Sequence, residues 1–246
     1  MTPSTRRFHR LKATLDRRQP DLTVLMDQVN KGHNVSAILR NCDAVGVMGT
    51  HVVPPDRGRF DIFHHTSGGT AKWVGVTVHR TVEEAIEGLN EEGFQVVAAH
   101  LSPGASDYRS IDYTRPTAIL MGAELHGVSD SALALVDHEV VIPMRGMVQS
   151  LNVSVATALL LFEAMRQREE AGMYDVSRLD PEVYARTLFQ WAHPRLARWY
   201  DERRLPYPRM DADGEVTEPF PSGAPAPGEE EEVEDSVTPS GGAPHR

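Results

Sequence analysis

The chain has 246 residues, 40% of them hydrophobic, and a formal net charge of −10. This length and composition suffice for one well-buried α/β domain with extensions, and no apolar run is long enough to span a membrane. The single cysteine, Cys42, excludes a disulfide framework and indicates a reducing compartment. Because the charged N-terminus is also unlike a signal peptide, we expect a cytoplasmic protein without a membrane partner.

The negative charge is concentrated in the segment 211–246, which holds ten acidic residues against one basic residue. The segment is rich in Pro, Gly, Ser and Glu and nearly lacks aromatic residues, so it cannot bury enough apolar surface to fold by itself. We therefore predict a disordered acidic tail over 211–246. Residues 1–210 are close to neutral, but both of their ends are basic.

These basic ends are predicted to be helical, within 1–19 at the N-terminus and over 173–210 at the C-terminus. Both contain aromatic residues, namely Phe8, Trp191, Trp199 and Tyr200. A basic helix is often only a solvated surface, but basic residues beside aromatic ones are also typical of a surface that binds nucleic-acid phosphates. The candidate RNA-binding residues are Arg6, Arg7, Arg10, Lys12, Arg17, Arg18, Arg195, Arg198, Arg203 and Arg204.

Between the basic ends, strand-like and helix-like patterns alternate. Short apolar runs predict strands at 22–29, 51–54, 74–78, 95–101, 117–121 and 139–143. Helical patterns cover 35–45, 81–92, 129–136, about 150–170, 181–192 and 194–204. Because most of the strands are continuously apolar, we expect an α/β domain over 20–172 that has a parallel sheet with helices on both faces.

The first polar cluster, at 30–41, follows the first predicted strand. Its Asn and Gly residues mark a turn into a helix, and Asn34 stands at the start of that helix. Arg40 lies off the apolar stripe of the same helix. It is either an ordinary surface arginine or a bidentate contact for a phosphate.

The second polar cluster, at 120–129, contains Gly122, Glu124, His126 and Gly127. The two glycines have the spacing of a Walker A loop, but the Lys and the Ser or Thr of that motif are absent, so we expect no nucleoside triphosphate site. The absence of G-x-G-x-x-G after an early strand weakens a dinucleotide-binding interpretation. The histidines of the chain lack partners at metal-ligand spacing, so we expect no metal.

The third polar cluster places Gln149, Ser150 and Asn152 where a strand leads through a glycine-containing loop into a long helix. Core packing does not require polar side chains there. Ser150 is either the N-cap of the helix or, with the open backbone groups around it, part of a polar ligand site. Because all three clusters follow the C-terminal ends of predicted strands, we expect them to border one ligand crevice.

Motifs within these clusters resemble, in order, the three motifs of the SPOUT (SpoU–TrmH) family of RNA 2'-O-methyltransferases. They read Asn34…Arg40, Met121-Gly122-Ala123-Glu124…Gly127 and Ile142-Pro143-Met144…Ser150-Leu151-Asn152-Val153-Ser154. The resemblance extends from about Arg6 to near Arg204 and leaves out the acidic tail. The short N-terminus has no room for the accessory RNA-binding domain of the related ribosomal-RNA enzymes, which favours the tRNA branch of the family.

The resemblance implies a C-terminal trefoil knot that holds S-adenosylmethionine in a bent conformation. It also implies an obligate homodimer whose catalytic groups are contributed across the interface. The implied cofactor-binding residues are Ala99, His100, Leu101, Gly122, Glu124, Gly127, Ile142, Met144, Ser150, Leu151 and Asn152. Family members often have Thr at the position of Ala99, a difference that matters only if the hydroxyl contacts the cofactor.

The implied activity is S-adenosylmethionine-dependent methylation of the ribose 2'-oxygen of guanosine 18, in the D-loop of tRNA. The implied catalytic residues are Arg40, Asn34, Glu124, Ser150 and Asn152. Because a guanidinium rarely loses its proton, Arg40 is either the general base or the group that holds the 5' phosphate or the reacting oxygen. Two alternatives stay open, a ribosomal RNA 2'-O-methyltransferase and a noncatalytic RNA-binding protein of the same fold.

Overall fold

The computed structural model describes residues 5–55, 72–123 and 126–225, and within these ranges seven strands form one parallel sheet. The strands are β1 (Leu22–Asp27), β2 (Gly49–Val53), β3 (Gly75–Val78), β4 (Gln95–Ala99), β5 (Ser106–Asp107), β6 (Thr117–Met121) and β7 (His138–Val141). All six predicted strands are present. The additional strand β5 is too short to leave a pattern in the sequence.

The helices agree with the sequence patterns except at some of their ends. They are α1 (Thr5–Leu15), α2 (Gly32–Ala44), α3 (Val82–Glu91), α4 (Asp130–Leu133), α5 (Val153–Glu170), α6 (Pro181–Ala192) and α7 (Pro194–Glu202), with a 3-10 turn at Tyr108–Ser110. Asn152, and not Ser150, is the N-cap of α5, because its side chain accepts from the backbone N–H of Ser154. Among the helices of the described residues, none combines the length and apolar character that a bilayer span needs.

Alternate residues of the strands enter two separate hydrophobic cores. In β6, Ile119 and Met121 pack with the buried residues of α2 and α5, whereas Ala118 and Leu120 pack with those of α3. Burying one large aliphatic side chain contributes about 1.5–3 kcal/mol, so each core is a substantial stabilising element. The predicted arrangement of a parallel sheet with helices on both faces is confirmed.

The strand order β3-β2-β1-β6-β4-β7-β5 determines where a ligand can bind. From β1 the chain builds outward to β2 and β3, and it then crosses to the other side of β1, where β4, β6 and β7 lie together. The direction in which successive strands are added to the sheet therefore reverses between β1 and β6. In an open parallel sheet, such a switch leaves a crevice at the C-terminal ends of the strands.

At the opposite edge of the sheet, the fully buried Arg168 ties α5 to the start of β1. It donates to Asp21 Oδ1 (2.6 Å) and to the carbonyl oxygen of Tyr113 (2.9 Å). Arg178 donates to both carboxylate oxygens of the same aspartate (2.6 and 2.9 Å). Burial alone raises the pKa of Asp21, but the hydrogen bonds from Arg178 and Arg168 hold that pKa below its ordinary value.

The chain divides into two compact units, Lys12–Ala185 and a smaller one made of Met1–Leu11 with Arg186–Arg246. In the smaller unit, His193 Nε2 lies 2.8 Å from the carbonyl oxygen of Gly214, and Met210 pairs with Val216. Gly214 has a φ of +83° and packs on the ring of Phe8, where a Cβ would overlap the ring. The prediction of disorder from residue 211 is therefore wrong for the turn 211–216, because contacts with distant residues order it. Residues 226–246 of the predicted tail lie outside the described residues.

Candidate functional site

A cavity of about 460 Å³ opens at the C-terminal edge of the sheet, within the range of small-molecule sites. It is bordered by the ends of β4, β6 and β7 and by the loop that leads into α5. Ten of the sequence-predicted cofactor residues line it, namely Ala99, His100, Leu101, Gly122, Gly127, Ile142, Met144, Ser150, Leu151 and Asn152. The remaining one, Glu124, lies outside the described residues.

Two glycines shape the β6 side of this cavity. Gly127 has a φ of +68°, in the left-handed region that glycine adopts without strain, and its N–H donates to the carbonyl of Ala123 (2.8 Å). The backbone of Gly127 passes so close to Gly122 that a Cβ on Gly122 would overlap the Gly127 carbonyl. Gly122, Ala123 and Gly127 therefore lie close together and bring backbone groups to the cavity wall.

The N-terminal ends of α5 and α2 meet at this cavity through side-chain amides. Asn152 Oδ1 accepts from the N–H (2.9 Å) and the hydroxyl (2.7 Å) of Ser154, and Asn152 Nδ2 donates to Oδ1 of the buried Asn34 (3.2 Å). Asn41 Nδ2 donates to the carbonyl oxygen of Ser154 (2.9 Å). Two of the residues predicted to be catalytic, Asn34 and Asn152, are thus brought into direct contact.

Arg40, another residue predicted to be catalytic, is not part of this arrangement. It lies on α2 with an exposed side chain, and it is not among the described residues that line the cavity. Its neighbours Ile38 and Leu39 are buried in the core beneath the helix. A single chain therefore presents Arg40 to solvent and not to the cavity.

Two buried acidic groups near the sheet edge have shifted pKa values. Asp27, the last residue of β1, is almost fully buried, and its Oδ1 has no hydrogen-bond partner among the described residues. Burial, with a smaller contribution from the negative charge of Glu83, raises the pKa of Asp27 to about 6. Burial also raises the pKa of the Cys42 thiol above its ordinary value. Cys42 is therefore an inert core residue and not a nucleophile.

The candidate RNA-binding residues fall into two groups. Arg6, Arg7 and Arg10 on α1, Lys12, Arg17, and Arg195, Arg198, Arg203 and Arg204 are exposed. Arg18 is not: it is fully buried and donates to Asp43 Oδ1 (2.5 Å) and to the carbonyl oxygen of Val47 (2.9 Å). The prediction for Arg18 is wrong, because a fully buried guanidinium that donates to the half-buried Asp43 carboxylate and to a backbone carbonyl cannot reach a phosphate.

Most of the aromatic residues that were assigned to the same surface are structural. Phe8, Trp191 and Tyr200 are buried. Trp199 is partly exposed, and the guanidinium of Arg203 lies over its ring, 4.3 Å from the centroid. Only this last pair keeps the character of a surface for a nucleic acid among the aromatic residues named from the sequence.

Several residues of the cavity were not among the cofactor-binding residues that were named individually from the sequence. The most distinctive is Lys31, which lines the cavity from the loop between β1 and α2, and Gln149 lines it from the loop before α5. The other residues in this group belong to the apolar wall, namely Met121, Ala123, Val140, Val141, Val153 and Ala156. Lys31 and Gln149 stand in polar turns after strands, which was an available signal, whereas the apolar residues cannot be told from core residues by pattern.

Fold and site define a class, a parallel α/β protein with a ligand cavity at the C-terminal edge of its sheet. The profile of the SpoU rRNA methylase family matches residues 21–162, and the profile described as SpoU, rRNA methylase, C-terminal, matches residues 166–219. The chain belongs to the SpoU methylase family. The second match continues past Arg204, so the likeness extends beyond the C-terminal limit that was predicted from the motifs.

Individual relatives agree with this assignment. The tRNA (guanosine(18)-2'-O)-methyltransferase of Thermus thermophilus is 57% identical over 185 residues, which cover 75% of this chain and 95% of the relative. The crystal structure of the A. aeolicus TrmH/SpoU tRNA-modifying enzyme superposes with a TM-score of 0.71 at 42% identity and covers 76% of this chain and 95% of that one. An AdoMet-bound rRNA methyltransferase from Sinorhizobium meliloti has a TM-score of 0.55 at 30% identity, with coverage of 63% and 59%.

Proposed function

We propose that this protein is a tRNA (guanosine-18-2'-O)-methyltransferase that uses S-adenosylmethionine. The observation that carries the proposal is the cavity, because residues of the second and third family motifs line it together with Ala99, His100 and Leu101. The name of the Thermus thermophilus relative supports the choice of tRNA and of the guanosine position. A cytoplasmic location accords with that substrate and stays a prediction.

The cavity suits a donor that has a flat apolar part and a polar part. Leu101, Val140 and Ile142 supply apolar walls. Ser150, Asn152 and the backbone of Gly122 and Gly127 supply hydrogen-bonding groups. When bound, S-adenosylmethionine supplies a methyl group on a sulfonium, so the leaving group is already good. The protein's own task is then to align the ribose 2'-oxygen and to remove its proton.

The hydrogen-bonded pair of Asn34 and Asn152 supports a positioning role for both residues. Asn152 lines the cavity and is held by its capping of α5, so it fixes the orientation of the buried Asn34 amide. Arg40 would hold the phosphate or the reacting oxygen of the RNA, because its guanidinium stays protonated and is a poor base. Glu124 and Ser150 keep the roles that the family resemblance implies for them.

A homodimer is part of the proposal. Val155, Leu159 and Phe162 form an apolar stripe along α5, and these side chains are 47%, 37% and 46% exposed. Positions i, i+4 and i+7 of a helix face one side, so the stripe is a ready surface for a second copy. A partner subunit that packs there would also account for an Arg40 that stands outside the cavity of its own chain. The trefoil knot of the family is proposed for the same domain.

The exposed arginines of the smaller unit, on α1 and α7, are the proposed contacts for the tRNA backbone. Each phosphate contact releases counterions, so binding is expected to weaken steeply as salt increases. Arg203 and Trp199 together offer a cation and a ring face, a combination that also accepts an unstacked base.

Incubation with radiolabelled S-adenosylmethionine and unmodified tRNA, followed by mapping of ribose methylation, tests the proposal. Label at the 2'-oxygen of guanosine 18 is the expected result. Label that appears only on ribosomal RNA would identify the alternative substrate. RNA binding without any label would identify a noncatalytic protein of the same fold.

A further inference from the structure

Lys31 stands at the rim of the cavity in a position that the backbone fixes. It is the N-cap residue of α2, and its carbonyl oxygen accepts from the N–H groups of Asn34 (2.8 Å) and Val35 (3.1 Å). Its side chain is exposed and lines the cavity. The backbone of Lys31 is thus held in place beside the cavity, while its ammonium stands on a flexible four-carbon stem.

The charge of Lys31 distinguishes it from the rest of the lining. Apart from His100, the other described lining residues have apolar or neutral polar side chains. No acidic residue occupies the first turn of α2, so the positive end of that helix adds to the positive potential at this side of the cavity. One rim of the cavity is therefore electropositive, and an anionic group is favoured there.

The donor in the proposed reaction has one anionic group, the carboxylate of its amino-acid end. Its sulfonium is cationic and is repelled by a nearby ammonium. We infer that Lys31 binds the donor carboxylate and thereby turns the sulfonium and its methyl group away from this rim. This inference rests on the proposed function. It favours the donor over an RNA phosphate, since Lys31 lines the cavity, whereas Arg40 lies outside the lining.

The test compares two probes on the full chain, S-adenosylhomocysteine and its decarboxylated analogue, which keeps the ammonium. For Lys31→Met, we expect the dissociation constant of S-adenosylhomocysteine to rise about tenfold, the effect of one charge-assisted hydrogen bond. The affinity for the decarboxylated analogue should be unchanged. Lys31→Arg should restore most of the loss, and Lys72→Met, which removes an exposed lysine that does not line the cavity, is the matched control.

Each alternative result has a definite meaning. An equal loss for both probes, or no loss for S-adenosylhomocysteine, overturns the inference. If Lys31→Met weakens tRNA binding and leaves S-adenosylhomocysteine binding intact, Lys31 contacts RNA and the inference is wrong. A wild-type protein that binds neither probe contradicts the proposed function itself. Thermal unfolding of each variant distinguishes a lost contact from a lost fold.

Discussion

Asn152 donates a hydrogen bond from Nδ2 to Oδ1 of Asn34 over 3.2 Å and so joins two residues that are 118 positions apart. The same side chain caps α5 through Ser154. One amide therefore begins the helix behind the cavity and also fixes the first turn of α2. Loss of this amide should affect both stability and ligand binding.

Asn152→Ala tests this dual role. We expect a loss of about 1 kcal/mol in the free energy of unfolding, the usual value for an N-cap. S-adenosylhomocysteine binding, measured by calorimetry, should weaken as well, because the loop before α5 loses its anchor. Thr81→Ala is the matched control, since Thr81 caps α3 in the same way and does not line the cavity. Equal effects of both variants on binding would contradict the assignment.

Gly122→Ala should disturb the cavity without a charge change. The added methyl group would overlap the backbone of Gly127, so Gly122 and Gly127 must move apart. We expect S-adenosylhomocysteine affinity to fall at least tenfold, by analogy with other strained backbone sites, which cost about 1–3 kcal/mol. Gly88→Ala on α3 meets nothing within 4 Å and should be neutral or stabilising. Unchanged S-adenosylhomocysteine binding by Gly122→Ala would show that the close approach of Gly122 and Gly127 does not shape the ligand site.

Arg40→Ala separates catalysis from binding. Methylation of tRNA should fall by about two orders of magnitude or more, because alignment of the 2'-oxygen is lost. S-adenosylhomocysteine affinity and thermal stability should be preserved, since Arg40 is exposed and stands outside the cavity lining. Single-turnover rates with saturating tRNA are the measurement. A rate equal to that of the wild type would remove Arg40 from the mechanism.

Arg17 and Arg18 are adjacent in sequence, but their replacement by alanine should affect different properties of the protein. Arg18→Ala should lower the free energy of unfolding by about 1–3 kcal/mol, because it leaves the Val47 carbonyl without its buried donor and removes the partner of the half-buried Asp43. Arg17→Ala removes an exposed charge, so stability should be unchanged. If Arg17 contacts RNA, its loss should reduce the slope of the logarithm of the tRNA binding constant against the logarithm of the salt concentration by about one. A stable Arg18→Ala protein with weaker tRNA binding would reverse this assignment.

Asp27 predicts a specific dependence of stability on pH. Its pKa in the folded protein is about 6, above the ordinary value of 3.8, so the folded state binds the proton more tightly. This contribution favours folding at low pH and is lost as the pH rises through about 6. Asp27→Asn should therefore raise the free energy of unfolding by about 1–2 kcal/mol at pH 8. At pH 5 this gain over the wild type should be about 1 kcal/mol smaller. Urea unfolding at both pH values is the measurement, and a pH-independent difference would refute the account.

Local sequence patterns were enough to predict the elements and the kind of site. Continuous apolar runs indicated β1 and β6, because strands buried on both faces leave no polar alternation. Turn residues after those strands marked the polar clusters and a ligand crevice, whereas the family and most of the individual cavity residues came from the resemblance of the motifs to a known family. These signals depend only on neighbours a few positions away.

The partnerships between distant residues depend on the tertiary fold. Only the fold could show that Arg18 is buried against Asp43, that Asn152 reaches Asn34, and that His193 orders the turn at Gly214. Side-chain type does not report burial or partner, because an arginine or an amide has the same sequence pattern in solvent as in a buried hydrogen bond. Each of those contacts forms only when the fold brings together segments that are distant in the sequence, which no local pattern encodes.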